Sequence, residues 1–283
     1  MIPATEVIVT GTGTPAPDPN RAGPGVLVRH GKIALQFDAG RATVMRLSSA
    51  KTTCAELTAL FVTHHHSDHM LDIDDVAMTR WRGTPGVQPP PLPLIAPTGP
   101  ITRFASRLSD LWAEDLEIRG LHIGSGGDTL VSIAGFEASD SVREVWREGD
   151  VSVSSILVEH QPVEPSVAYR VDTPNGAVVI SGDTRVCPAV ERIAAGANVL
   201  VHEAFRTKLV RGTPFEKIGQ YHADTVAIGE MAARLDTPHL VLTHLIPAPR
   251  NEEHEQAFER DVRSGGYKGS VAVARDLHTQ QVG

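Results

Sequence analysis

Four potential metal ligands lie within six residues, directly after a short apolar segment of this 283-residue chain. The apolar segment, Leu57 to Val62, predicts a short strand that is buried on both faces. The potential ligands that follow it are His64, His66, Asp68 and His69. Residues two apart in an extended segment project to the same side, so His64 and His66 would face one site while His65 points away from it. A ligand-bearing loop at the end of a buried strand favours a layered α/β fold.

The residue types of this cluster favour a transition metal. Imidazole suits zinc and related metals, and a carboxylate adds a harder, charged ligand. Four donors from so short a segment cannot all bind one tetrahedral ion and leave it open to water, so two neighbouring ions, completed from elsewhere, are predicted. A lone histidine after a strand is more often a solvated loop residue. Three further donors nevertheless also follow predicted strands: His160, Asp183 and His244.

The pattern of apolar and turn residues predicts a layered α/β sandwich. A Pro- and Gly-rich stretch, 83–100, is short enough for a surface crossing, so one domain over residues 1–283 is expected. The main predicted elements are hairpins over 25–37 and 168–181, helices over 101–112 and 223–235, short strands between 121 and 159, and buried strands at 199–202 and 240–243.

Composition limits the classes of partner. The net charge is −8, and the densest basic stretch, Arg206 to Arg211, holds three basic residues, so no basic stripe for a long polyanion is evident. Cys54 and Cys187 fit no metal or redox spacing. Since no segment has the length of a membrane span or the pattern of a signal peptide, we expect a cytoplasmic protein without membrane contact. A homodimer is compatible with these properties.

The segment Thr63-His-His-His-Ser-Asp-His69 resembles the HxHxDH signature of the metallo-β-lactamase superfamily. The resemblance covers nearly the whole chain and implies a four-layer αββα sandwich with two zinc ions, iron and manganese being alternatives. It implies that Asp183 bridges the ions and that Asp38 supports the ligand loop. It also implies two ligand sets, one of His64, His66 and His160, the other of Asp68, His69 and His244.

Two later segments narrow the resemblance to the ribonuclease Z and arylsulfatase-like branch. Val201-His-Glu-Ala204 is similar to the HEAT segment of that branch, and Tyr221-His-Ala-Asp-Thr225 to its HST segment, with Ala223 in place of Ser. The resemblance implies that His222 is a general acid oriented by Glu203. An aspartate at 183, where well-known β-lactamases carry a cysteine, makes β-lactamase activity unexpected.

One departure from the branch concerns the substrate. Enzymes that process transfer RNA insert a long arm between the third ligand histidine and the bridging aspartate, whereas Asp183 follows His160 by 23 residues here. Together with the acidic charge, this short interval predicts a small-molecule substrate rather than transfer RNA.

The predicted activity is hydrolysis by a metal-bridging hydroxide, with Asp68, His222 and Glu203 as catalytic residues and a phosphodiester or related ester as substrate. The alternatives are hydrolysis of a lactone, an aryl sulfate or a thioester, hydrolytic dehalogenation of an aromatic, or a non-catalytic metal- or RNA-binding scaffold. The candidate substrate contacts are Trp81 and Arg82, with Phe205, Tyr221 and Arg21 as weaker ones.

Overall fold

The computed structural model describes residues 2–83, 89–123 and 129–283. Within these ranges, strands form two seven-stranded sheets. The strands of the first sheet are β1 (Thr5–Gly11), β2 (Gly25–His30), β3 (Ile33–Phe37), β4 (Ala59–Phe61), β5 (Leu92–Pro97), β6 (Val131–Phe136) and β14 (Thr279–Val282). Those of the second are β7 (Arg143–Glu148), β8 (Val151–Leu157), β9 (Val167–Thr173), β10 (Gly176–Ile180), β11 (Val199–Phe205), β12 (His239–Ile246) and β13 (Ser270–Val273).

The helices cover the outer faces of the two sheets. They are α1 (Thr43–Ser49), α2 (Ile73–Arg82), α3 (Pro100–Ala105), α4 (Leu108–Leu111), α5 (Ala113–Ile123), α6 (Pro188–Ala194), α7 (Thr225–Leu235) and α8 (Glu252–Ser264). Short 3-10 turns lie at 54–56, 67–69, 207–209 and 214–220. Among the described helices, none is both long and apolar enough to cross a membrane.

Three apolar clusters show why the layers stack in this order. Alternate residues of a strand point to opposite faces of its sheet. Leu60 therefore packs outward against α1 and α2, while Phe61 points inward. In the second sheet, Leu200 packs outward against α6 and α7, while Val201 points inward to join Phe61. Burial of both faces of both sheets confirms the predicted four-layer sandwich.

Strand direction decides where the site lies. In the first sheet β3, β4, β5 and β6 are parallel, and in the second β10, β11, β12 and β13 are parallel. Because β8 and β10 are each antiparallel to β9, β8 runs in the same direction as β10. The carboxyl ends of the ligand-bearing strands therefore meet at one edge, which we call the site edge.

The local elements largely follow the sequence predictions. Both predicted hairpins form, as β2–β3 and β9–β10, and α7 lies within the predicted 223–235 segment. Two predictions are wrong. Residues 121–123 continue α5 and are not strand, and the single helix expected over 101–112 is divided into α3 and α4. The parts of the 83–100 and 121–159 predictions that fall on 84–88 and 124–128 lie outside the described residues.

Candidate metal centre

The first group of donors joins both sheets. His64 and His66 follow β4 of the first sheet, whereas His160 and Asp183 follow β8 and β10 of the second. His64 Nε2 lies 3.8 Å and His160 Nε2 3.9 Å from Asp183 Oδ2, and His160 Nε2 lies 3.3 Å from His66 Nδ1. One ligand atom of each of the four residues lies within 4.8 Å of the others, a spacing that could hold a metal ion.

A second group adjoins the first and shares its aspartate. His244 Nε2 lies 3.3 Å and His69 Nε2 3.7 Å from Asp68 Oδ2. Asp183 faces this group too, with Oδ1 3.4 Å from His69 Nε2 and Oδ2 3.5 Å from His244 Nε2. The arrangement places Asp183 between the two groups, where the resemblance puts a bridging ligand.

The donor atoms themselves show that a metal fits. His64 Nε2, His69 Nε2 and Asp183 Oδ1 are buried without a hydrogen-bond partner, which would be costly for polar atoms with no other use. Ligand atoms held about 2.0–2.2 Å from a tetrahedral ion are about 3.3–3.6 Å apart, close to the distances between these donors. The cluster is therefore suited to divalent metal ions.

The charges of the cluster are also suited to metal binding. Burial lowers the pKa of His64 well below its ordinary value, which keeps the imidazole neutral. Burial by itself would raise the pKa of Asp183, but His244 and His69 outweigh it, so the pKa lies well below its usual range. For His69, the charges of Asp183 and Asp38 overcome burial and raise the pKa well above normal, so a metal would displace a proton there.

Behind the first sheet's ligands, Asp38 fixes the ligand loop. Its carboxylate accepts hydrogen bonds from Thr63 N at 2.8 Å and from His69 Nδ1 at 2.7 Å. The Thr63 hydroxyl donates to Asp38 and lies 3.0 Å from His64 Nδ1. Such outer contacts set which ring nitrogen faces the metal. Thr63 carries no signal of its own in the sequence beyond its place between β4 and His64.

On the other side of the cluster, Glu203 holds His222. His222 Nδ1 donates to Glu203 Oε1 at 2.8 Å, and the same oxygen accepts from Thr184 N at 2.9 Å. Burial would lower the pKa of His222, but the charge and hydrogen bond of Glu203 outweigh it and raise the pKa to about 9. His222 also has a ligand atom within 4.8 Å of ligand atoms of Asp183 and His244, so it borders the cluster directly.

Two of the predicted substrate contacts lie near the ligands. The Tyr221 ring is half-buried, 5.4 Å from the His160 ring, and the Tyr221 carbonyl accepts from His160 Nδ1 at 2.9 Å. Phe205 packs behind His222, with ring centroids 6.0 Å apart, but it is fully buried. Tyr221 can therefore touch a substrate, whereas Phe205 only supports the His222 ring.

The other predicted substrate contacts lie away from the site. Trp81 is buried in the first sheet's outer core, and Arg82 is exposed at the end of α2. The neighbouring Arg80 donates to carbonyls of residues 54, 57 and 90, which precede β4 and β5, so this part of α2 lies at the opposite edge from the ligands. The side chain of Arg21 is only 7% exposed and pairs with Glu255 at 2.9 Å, which makes its role structural.

Comparison with known proteins agrees with this architecture. A family model described as "Beta-lactamase superfamily domain" matches residues 35–245. The chain is 36% identical over 280 residues to a ribonuclease Z of Mycobacterium avium (strain 104), and 32% identical over 281 residues to one of Mycobacterium bovis (strain BCG / Pasteur 1173P2), covering 98% of each chain.

Solved structures show the same fold. The metallo-beta-lactamase fold protein YhfI from Bacillus subtilis superimposes with a TM-score of 0.76 at 19% identity, over 98% of this chain and 99% of the other. The short form of human tRNase Z superimposes with a TM-score of 0.71 at 18% identity, over the same shares of the two chains.

These relatives contradict the prediction of a small-molecule substrate. That prediction rested on the missing arm between His160 and Asp183. Yet the match to the Mycobacterium avium ribonuclease Z covers 98% of that chain in 280 residues, so the relative is about as long as this protein and has no long insertion either. Absence of an arm therefore does not separate this chain from proteins named ribonuclease Z, and the prediction that transfer RNA is not the substrate is wrong.

Proposed function

The chain belongs to the β-lactamase superfamily, as a hydrolase of the metallo-β-lactamase fold related to ribonuclease Z, and on that premise we propose that it hydrolyses phosphodiester bonds in transfer RNA. The observation that carries the proposal is the set of donors at the site edge whose spacing could hold metal ions, with the Glu203–His222 pair beside it. The chain also aligns over 98% of its length with ribonuclease Z relatives. Hydrolysis of transfer RNA would agree with the expected cytoplasmic location.

We further propose that the site holds two zinc ions. His64, His66 and His160 would bind one, Asp68, His69 and His244 the other, and Asp183 both. When bound, such ions supply an activated water near neutral pH and neutralise charge on the phosphate.

The protein's own residues would orient the substrate and move the leaving-group proton. Cleavage of a phosphodiester leaves an alkoxide, which must gain a proton. His222 borders the cluster and holds its Nδ1 proton on Glu203, so its Nε2 is the atom that would deliver a proton to the departing oxygen. Glu203 stabilises the cationic imidazole and fixes the orientation of the ring. Tyr221, half-buried beside His160, lies where a nucleotide next to the cleaved bond could pack.

The test is cleavage of a transfer RNA precursor by the purified, zinc-supplemented protein, followed on a sequencing gel. We expect one dominant cut in the precursor and none in the mature transfer RNA. Asp183→Asn should lose bound metal and activity together, whereas Lys32→Gln, at an exposed turn of the opposite edge, should retain both.

A second substrate separates two ways of failing. If bis(p-nitrophenyl) phosphate is hydrolysed while precursors of several transfer RNAs stay intact, the transfer RNA proposal is wrong, although phosphodiesterase activity stands. If neither substrate is turned over by metal-loaded protein, the catalytic proposal itself is wrong.

A further inference from the structure

A cleft of about 410 Å³ opens between the loops that follow β11 and β12, at the site edge, and α8. Its position follows from the chain. Arg206 comes three residues after Glu203, and Pro247 three residues after His244, so the backbone of the cleft lies within about 10 Å of the backbone of these two site residues. The backbone N–H of Arg206 donates to Ile246 O at 2.8 Å, which ties the two loops together.

The cleft is positively charged, although the whole chain is acidic. Its lining includes Arg206, Arg250 and Arg260 and one carboxylate, that of Glu253. Arg250 and Arg260 are exposed, and neither forms an ion pair with any residue that the structure describes. Free guanidinium groups at the mouth of a cleft are typical of a site for phosphate.

The charge of the third arginine is held in place by buried partners. Arg206 Nε donates to Asp261 Oδ2 at 2.7 Å, and its guanidinium lies 5.5 Å from the centre of the Phe258 ring. Lys208 donates to the same aspartate. Two cations share one carboxylate, so this wall of the cleft keeps a positive charge in addition to those of Arg250 and Arg260.

The remaining lining is mostly apolar. Leu209 is half exposed, and Pro247 and Ala248 contribute surface that water reaches. A nucleotide fits a cleft that is both apolar and positively charged, because its base and ribose pack on apolar surface while its phosphate pairs with arginine. The size of the cleft suits one such unit, given that small-ligand sites begin at about 300 Å³.

We propose that this cleft binds a nucleotide of the RNA strand adjoining the cleaved bond, with Arg250 and Arg260 as the phosphate ligands. The inference rests on the proposed function, because it assumes that the substrate is RNA. The cleft would then be a second substrate-binding surface beside the metal ligands, formed by residues that are far apart in sequence.

The test compares Arg250→Gln, Arg260→Gln and the double variant with wild-type enzyme, using Lys32→Gln as the charge-matched control. We expect KM for the precursor RNA to rise about fivefold to tenfold for each arginine, and the dependence of log KM on log salt to become shallower by about one for each lost phosphate contact. Turnover of bis(p-nitrophenyl) phosphate should not change, because its single phosphate is the one that is cleaved and it has no second phosphate for these arginines.

A variant that removes a negative charge should have the opposite effect on KM. Glu253→Gln removes the carboxylate from the lining, so it should lower KM for RNA by about twofold to fivefold. If RNA is cleaved but KM and its salt dependence are the same in all these variants, the cleft does not bind the strand.

The inference can also be judged if the proposed function fails. In that case the affinity of metal-free protein for a fluorescent oligoribonucleotide is measured by anisotropy. Weaker binding by the arginine variants than by Lys32→Gln supports the cleft as an RNA site, and equal binding overturns it.

Discussion

At the scale of single residues, Glu203 links the fold to the chemistry of the site. It lies on the inward-facing side of β11 and is almost completely buried, yet it carries a carboxylate. One of its oxygens accepts from both His222 and Thr184, while Oε2 has no partner among the described residues. A buried carboxylate is costly unless its charge is used, and here it orients the His222 ring and raises the pKa of that ring.

Glu203→Gln should therefore lower kcat on transfer RNA precursor at least tenfold, with KM and bound metal nearly unchanged, because the neutral amide no longer stabilises a cationic His222. Steady-state kinetics and metal analysis measure this. In a His222→Ala background the same change should have little further effect, since the two residues act as a unit. Glu191→Gln on α6 is the control. Independent, multiplicative losses would contradict the pairing.

At the scale of elements, the contact between α7 and α8 depends on a missing side chain. A Cβ added at Gly229 of α7 would lie 2.1 Å from the carbonyl oxygen of Val262 in α8, which is well inside contact distance. The helices can pack this closely only because the position has no side chain. The close packing places Arg260 of α8 beside the loops that follow β11 and β12.

Gly229→Ala should thus lower the free energy of unfolding by about 2 kcal/mol, because overpacking exceeds the gain in helix propensity. Urea denaturation provides the measurement. Glu230→Ala, on the exposed side of the same helix, should change stability by less than about 0.5 kcal/mol. Equal stability of Gly229→Ala and wild type would show that the helices separate without cost.

A second element-scale contact depends on pH. Asp261 of α8 is buried, which would raise its pKa, but Arg206 and Lys208 outweigh the burial and lower it. A carboxyl group whose pKa is depressed on folding stabilises the protein above its unfolded pKa, about 3.9, and loses this contribution as pH falls through the folded pKa.

Asp261→Asn should consequently cost about 2 kcal/mol near pH 6 and progressively less below pH 4. Denaturant titrations of both proteins across this range test the sign. A stability difference that does not shrink in acid would mean that the charge of Asp261 is not what holds α8.

At the scale of the whole molecule, the candidate metal centre spans the two sheets. Asp68 and His69 come from the first sheet's loop, whereas Asp183 and His244 come from the second sheet. β14 pairs with β1, so the two ends of the chain lie in one sheet. These long-range pairings support the proposal of one domain over residues 1–283, in which bound metal ions would cross-link the layers.

Removal of metal by a chelator should therefore lower the Tm by several degrees as well as abolish activity, because ligands that bind only the folded state stabilise it. Differential scanning calorimetry with and without added zinc measures the shift, and zinc should restore both properties. Lys32→Gln should respond as wild type does, and Asp183→Asn should show little shift. An unchanged Tm in the wild type would mean that the metals do not join the sheets.

The sequence by itself determined the local features. Apolar alternation and turn residues depend on near neighbours in the chain. The hairpins, the strand before His64 and the ligand cluster could therefore be predicted from the local sequence. Because each of His160, Asp183 and His244 follows an apolar segment that predicts a strand, and parallel strands end at the same edge, the convergence of the donors also followed from local pattern. In the structure the strand at His244 continues past it to Ile246.

Only the tertiary structure decided which distant surfaces meet. Trp81 lies 12 residues after His69, but the direction of α2 carries it to the opposite edge of the sheet. Arg206, Arg250 and Arg260 form no basic stretch in sequence, yet loop and helix packing brings them to one cleft. The reason is physical: short-range pattern fixes the direction and face of each element, whereas contacts across layers depend on how whole elements pack.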